Sequence, residues 1–189
     1  MKTYERVLPE GYDKVKIINS QDRRDNIIEM ICIFSPSLLI LIFGILFIKV
    51  TIVQWLTLLL LIPLIPAYII LHELVHGIIY LTLTGQKFKI GRDGNGDFYC
   101  ILPRIYVYYK TQLLCAAAPL TFFTITLLSG TVIAVINGSC VFIVLSGLMA
   151  FHFFACRSDM YLIKELLKIR DSQLLIGEDE DGNNIVFKL

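Results

Sequence analysis

The sequence predicts an all-α membrane protein with about four transmembrane helices and a small β-hairpin in the cytosolic loop between helices 2 and 3. Hydrophobic residues make up 56% of the 189-residue chain and charged residues only 17%, whereas about a quarter of the residues in soluble domains are charged. The apolar residues are concentrated in runs of about 20, the length that a helix needs to cross a bilayer. We expect one domain, 1–189.

Each predicted span corresponds to a long apolar run. Residues 1–26 are polar and form the expected N-terminal segment, and the runs 31–50 and 52–71 are the first and second spans. Two more spans fit between 111 and 155, separated at Asn137-Gly138, a pair typical of a turn. The membrane core is therefore predicted at 31–156, followed by a cytosolic helix and tail at 157–189.

The distribution of positive charge predicts the orientation. Basic residues flank the predicted spans on one side, whereas the other two connections contain only Lys49. By the positive-inside rule, both termini and the middle loop face the cytosol, so we expect a multi-pass membrane protein in contact with the lipid bilayer. The residues that carry this asymmetry are Lys2, Arg6, Lys14, Lys16, Arg23, Arg24, Lys87, Lys89, Arg92, Arg104, Lys110, Arg157, Lys164, Lys168 and Arg170.

Two segments outside the spans have the alternation of a β-hairpin. In the middle loop, apolar residues alternate at 88 and 90, and again at 98, 100 and 102, around a Gly-Asn-Gly turn. In the tail, 174–176 and 185–189 form a second candidate pair.

The five cysteines have no CxxC spacing, so we expect buried free thiols. The net charge of +1 gives no reason to expect a nucleic-acid partner.

The stretch LHELVHG, residues 71–77, places two histidines and a glutamate in an apolar run. Such groups are costly in a membrane unless they have a partner. In a helix, His72 and His76 project from one face and could both coordinate one metal ion, with Glu73 beside it. Zinc with three protein ligands keeps a position for water and lowers the pKa of that water to about 7. The alternative is that both histidines are satisfied by other helices.

The sequence leaves a choice of third ligand. A metzincin would need a histidine at position 82, which is Thr82. Asp93 and Asp97 are candidates, but they lie in the glycine-rich turn of the predicted hairpin. Asp159 is favoured because it lies 20 residues after the start of its span, as His72 does, and both spans run from outside to cytosol. The alternative is that Asp159 faces solvent or pairs with Arg157.

His152 lies seven residues before Asp159, on nearly the same helical face. It could support the metal site or line a substrate channel. The alternative is an ordinary packed histidine.

Several motifs together resemble a known family. HELVH on an apolar helix, a hairpin-bearing loop ending near Tyr99-Cys100, Ala118-Pro119, and the aspartate of FHFFACRSDMYLI look like the bacterial family of putative zincin membrane peptidases, as does the N-terminal LPEGYDKVKII. That family is similar to the site-2 proteases, which are intramembrane zinc metalloproteases. The resemblance implies a bacterial cell membrane protein with His72, His76 and Asp159 as zinc ligands and Glu73 as catalytic base. One departure is Met160, where site-2 proteases have glycine after the aspartate.

The expected function is zinc-dependent hydrolysis of a peptide bond in a membrane or membrane-associated protein or peptide. A transmembrane substrate would have to unwind, because its own hydrogen bonds enclose a helical peptide bond. The hairpin at 87–102 could pair edge-on with such an extended segment. Pro63 and Pro66 could open room for water near the metal or simply adjust helix packing. The rival hypothesis is a non-enzymatic carrier, immunity or regulatory partner with a structural or vestigial metal site.

Overall fold

The protein is described here by a computed structural model, which is mostly helical and contains a small sheet. The residues that the structure describes are 3–18, 27–48, 51–92, 98–101, 105–169, 171, 173–178 and 184–189. The helices are α1 (Ile27–Phe47), α2 (Ile52–Trp55), α3 (Leu61–Thr84), α4 (Tyr109–Ile136), α5 (Val141–Ala155) and α6 (Arg157–Ile169), with a 3-10 helix at Leu56–Leu60. The strands are β1 (Tyr4–Glu5), β2 (Asp13–Ile18), β3 (Lys89–Arg92), β4 (Phe98–Ile101), β5 (Tyr106–Tyr108), β6 (Leu175–Glu178) and β7 (Asn184–Lys188).

Among the residues that the structure describes, two helical segments are long and apolar enough to cross a membrane. They are Leu56–Thr84 and Tyr109–Ile136, and α5 with α6 would make a third if this pair, broken at Cys156, is one span. Within α1, Ser37–Leu46 forms a shorter apolar helix among the described residues. These helices indicate membrane association, whereas the predicted count of four spans and the cytosolic termini remain predictions. The second span extends 13 residues beyond its predicted end at Leu71, so the whole HELVH motif lies inside a helix.

The middle-loop hairpin is confirmed, because β3 and β4 pair antiparallel with Ile90 opposite Cys100. The tail hairpin is also confirmed as the antiparallel pair of β6 and β7. That pair belongs to a five-stranded antiparallel sheet in the order β1-β5-β6-β7-β2. The expectation of an all-α fold omitted this sheet. Strands of two or three residues, such as β1 and β5, are too short to show an alternating pattern, and their pairing joins segments about 100 residues apart.

The chain divides into two compact units. Unit 1 consists of 1–23, 70–119 and 158–189, and unit 2 consists of 24–69 and 120–157. The core of unit 1 brings together side chains from α3, α4, α6, the five-stranded sheet and the loop before β6: Ile18, Tyr80, Val107, Tyr109, Cys115, Ala116, Leu162, Leu166, Leu174, Ile176 and Val186. A separate core cluster in unit 2 contains Ala134, Phe142 and Ile143. The predicted single domain remains a prediction.

Candidate metal centre

The HELVH motif lies in the continuous helix α3, within unit 1. Because residues four apart in a helix lie on one face, both imidazoles project from the same side. Their ring centroids are 5.0 Å apart. Both side chains are buried, with residue exposures of 5% for His72 and 8% for His76. The helix therefore places two possible metal ligands side by side in the protein interior. Burial of an unpaired polar group there would cost free energy.

Asp159 reaches the same place from the first turn of α6. Leu162 and Leu166 follow it at spacings of three and seven, so all three residues lie on one helical face. Both leucines are buried in the core of unit 1. Because that face is turned inward, the Asp159 carboxylate is also directed into the protein, and only 13% of its side chain is exposed. The structure does not place Asp159 in solvent.

The carboxylate of Asp159 approaches both imidazoles at similar distances. Its Oδ2 lies 3.1 Å from Nε2 of His72 and 3.3 Å from Nε2 of His76. Each of the three residues offers one ligand atom, and these three atoms lie within 4.8 Å of one another. In a tetrahedral zinc site with ligands at about 2.0–2.1 Å, neighbouring ligand atoms are about 3.3 Å apart. The two measured distances therefore match the edge of a zinc tetrahedron.

The hydrogen bond on the far side of His76 identifies its tautomer. Nδ1 lies 2.9 Å from the backbone carbonyl oxygen of Cys115. Because a carbonyl oxygen can only accept, Nδ1 carries the proton and donates it. In the neutral imidazole, Nε2 then presents a lone pair toward the oxygen of Asp159, which is also an acceptor. A cation resolves this juxtaposition, and metal-binding histidines commonly have such a hydrogen bond on their other nitrogen. The donor set fits a metal ion.

Glu73 stands beside the candidate ligands and is tied to the hairpin. Its carboxylate accepts a hydrogen bond from the backbone amide of Cys100, in β4. Since Cys100 is paired with Ile90 but directs its amide hydrogen to Glu73, this hydrogen points away from β3. The outer edge of β4 therefore faces the glutamate of the motif.

A close contact between a glycine and a phenylalanine holds the hairpin near α3. A Cβ atom added at Gly77, immediately after His76, would lie 2.3 Å from the ring of Phe88. No real side chain tolerates that separation, so glycine is required for the ring to approach the helix this closely. Phe88 directly precedes β3. Gly77, the seventh residue of LHELVHG, therefore provides the surface of α3 against which Phe88 packs at the start of the hairpin.

Residues 64–174 match the family described as "Putative zincin peptidase", which covers more than half of the chain. The chain belongs to this family. Neither the curated proteins nor the solved structures compared with the chain match it. Membership implies a zinc metallopeptidase, and the group of possible metal ligands formed by His72, His76 and Asp159 is consistent with zinc.

The other residues that the sequence raised in the choice of a third ligand are not part of this group in the described structure. Asp93 and Asp97 lie outside the described residues. The Thr82 hydroxyl donates to the carbonyl of Ile78 in its own helix, at 2.7 Å. Arg157, the alternative partner of Asp159, places its guanidinium over the ring of Phe154, 5.2 Å from the centroid.

His152 is a completely buried residue of unit 2. Its Nδ1 lies 2.5 Å from the hydroxyl of Tyr68 and 3.4 Å from Sγ of Cys156. Its Nε2 lies 2.9 Å from the hydroxyl of Thr124. With Nδ1 as acceptor and Nε2 as donor, both nitrogens are satisfied within the unit. These contacts are compatible with a packed histidine, and a role of His152 at the metal site or in a substrate channel stays a prediction.

A chain of polar side chains that the sequence did not predict connects three elements next to the site. The hydroxyl of Tyr80 donates to Oε1 of Gln112 at 2.8 Å, and Nε2 of Gln112 donates to Oδ1 of Asn184 at 2.9 Å. These bonds join α3, α4 and β7. One helical turn beyond His76, Tyr80 thereby helps to hold α3 against the segment that carries Cys115. Polar residues in an apolar helix were the available signal, but their partners lie far away in sequence.

Proposed function

We propose that this chain is a membrane-embedded, zinc-dependent peptidase related in mechanism to the site-2 proteases. The observation that carries the proposal is the approach of one Asp159 oxygen to Nε2 of both His72 and His76, at 3.1 and 3.3 Å. These three residues would hold the zinc ion. Family membership and two helices long enough to cross a membrane support the assignment. The substrate would be a membrane or membrane-associated protein or peptide.

The zinc ion would polarise the scissile carbonyl and make a water molecule more acidic. Glu73 is the residue placed to take up a proton from the attacking water and to return it to the departing amine. The Cys100 amide holds one side of this carboxylate. Burial of the imidazoles limits access of bulk water. The chain itself thus contributes three proposed zinc ligands and, next to them, the Glu73 carboxylate, which the Cys100 amide orients.

The decisive experiment is Glu73→Gln in the full-length chain in detergent or lipid. Glutamine has nearly the same size but cannot take up the proton, so zinc content should remain near one per chain while peptide cleavage falls by about 10²- to 10⁴-fold. Metal analysis and a cleavage assay on the same preparations measure both. Cleavage at the wild-type rate would refute Glu73 as the base. Absence of cleavage in the wild type, with zinc bound, would favour a non-enzymatic protein with a structural metal.

The outer edge of β4 is a candidate for pairing with an extended substrate. The amide hydrogen of Phe98, two residues before Cys100, points to the same edge because strand geometry repeats every two residues. Phe98→Pro removes this donor, whereas Phe98→Leu retains it. We expect Phe98→Pro to raise KM and Phe98→Leu to have a much smaller effect, with zinc content unchanged in both. Equal KM values in the two variants would contradict edge pairing.

A further inference from the structure

A proline in α4 explains why the Cys115 carbonyl is offered to His76. In a regular helix, the carbonyl of residue 115 accepts from the amide of residue 119. Residue 119 is Pro119, which lies inside α4 and has no amide hydrogen. The imidazole of His76 donates to this carbonyl at 2.9 Å. The Cys115 carbonyl, which cannot accept a helical hydrogen bond from residue 119, therefore accepts one from the side chain of His76.

We infer that Pro119 is a positioning residue for His76: by lacking an amide hydrogen, it leaves the Cys115 carbonyl to Nδ1 and so directs Nε2 toward the metal. This inference rests on the proposed zinc peptidase, whose ligand set includes His76. An alanine at 119 would supply a competing donor along the helix. The imidazole would then share or lose its acceptor and would no longer be held in one tautomer and orientation.

Because Cys115 and Pro119 are buried, competition between the His76 imidazole and a helical amide for the Cys115 carbonyl would affect the site. Cys115 is fully buried, and Pro119 is among the largest fully buried side chains of the described residues. In such surroundings bulk water does not replace a displaced partner, so the donor to the Cys115 carbonyl is decided by the protein itself. Pro119 also lies within unit 1, as do His76 and Cys115, so the three residues belong to one compact unit.

Two variants at position 119 isolate the amide hydrogen. Pro119→Ala introduces it. The α-hydroxy-acid analogue of alanine, introduced at 119 by nonsense suppression, has the same methyl side chain but an ester oxygen in place of the amide. We expect the zinc affinity of Pro119→Ala to be about 10- to 100-fold weaker than wild type, measured by competition with a chelator, as for other lost partners of metal-binding histidines. The ester variant should bind nearly as tightly as wild type.

Stability and NMR provide readouts that a merely structural role would not reproduce. The alanine and ester variants truncate the buried Pro119 ring equally, and only Pro119→Ala gains a helical hydrogen bond, so its metal-free unfolding midpoint should not lie below that of the ester variant although its zinc affinity is weaker. In metal-free, histidine-labelled protein, the Nδ1 hydrogen of His76 should exchange slowly with solvent in the wild type and the ester variant, because the Cys115 carbonyl accepts it, and faster in Pro119→Ala. Equal zinc affinity and equal exchange rates of this hydrogen in the alanine and ester variants would overturn the inference. The NMR comparison needs neither zinc nor cleavage, so its failure is distinct from failure of the proposed function.

Discussion

Replacing Asp159 by alanine removes the carboxylate that lies between the two imidazoles of HELVH. Its Oδ2 is 3.1 and 3.3 Å from the two Nε2 atoms, within about 0.2 Å of the ligand separation in a zinc tetrahedron. No rearrangement of α3 or α6 is therefore needed for Asp159 to act as a full ligand. Alanine keeps the helix intact, since it has the highest helix propensity, so the change acts on the ligand set.

The expected loss follows from the energy of zinc binding. Four-ligand zinc sites in small peptides bind with about 10–16 kcal/mol, or about 2.5–4 kcal/mol for each ligand if the energy is divided evenly. Since about 1.4 kcal/mol corresponds to a factor of ten, Asp159→Ala should weaken zinc binding by about 10²- to 10³-fold. At a zinc concentration only a few times above the dissociation constant of the wild type, the purified variant should contain little zinc.

The assay is zinc content and chelator competition on purified full-length protein. The matched control is Glu165→Gln, also in α6, which removes a buried carboxylate whose partners are Lys16 and Lys168. This control should lower the stability of the fold but retain zinc. His76→Ala is the positive comparison, because it removes a predicted ligand from α3. Full zinc retention in Asp159→Ala, with loss in His76→Ala, would refute the geometric reasoning and move the third ligand elsewhere.

Three further predictions concern the surroundings of the site. Gly77→Ala should reduce cleavage by about 10²-fold with zinc retained, because its Cβ would displace the Phe88 ring and the hairpin with it; Gly130→Ala, where the added atom meets only an ordinary 3.4 Å contact, should have little effect. Gln112→Leu should lower the free energy of unfolding by about 1–3 kcal/mol in a denaturant titration, since it removes a hydrogen-bond partner from the buried Tyr80 hydroxyl and from the partly buried Asn184 side chain. A zinc chelator should abolish cleavage, and zinc but not magnesium should restore it; activity in excess chelator would exclude a zinc enzyme.

The sequence was sufficient to predict local elements. The spacing of His72 and His76 predicts a shared helical face, and α3 contains both. The alternation around 88–102 predicts a hairpin, and β3 and β4 form it. These predictions hold because helix and strand periodicities depend on residues only a few positions apart. The short strands β1 and β5 were not predicted, because their formation depends on partners about 100 residues away.

The sequence by itself determined that two imidazoles and a carboxylate lie together on one turn of an apolar helix. Only the tertiary structure decided which groups meet them: the Asp159 oxygen, the Cys115 carbonyl and the Cys100 amide. Residue identity could suggest Asp159 as a ligand, but it could not show that a backbone carbonyl and a backbone amide would serve the motif. Backbone groups are present at almost every residue, so their use is decided by packing between elements rather than by local sequence.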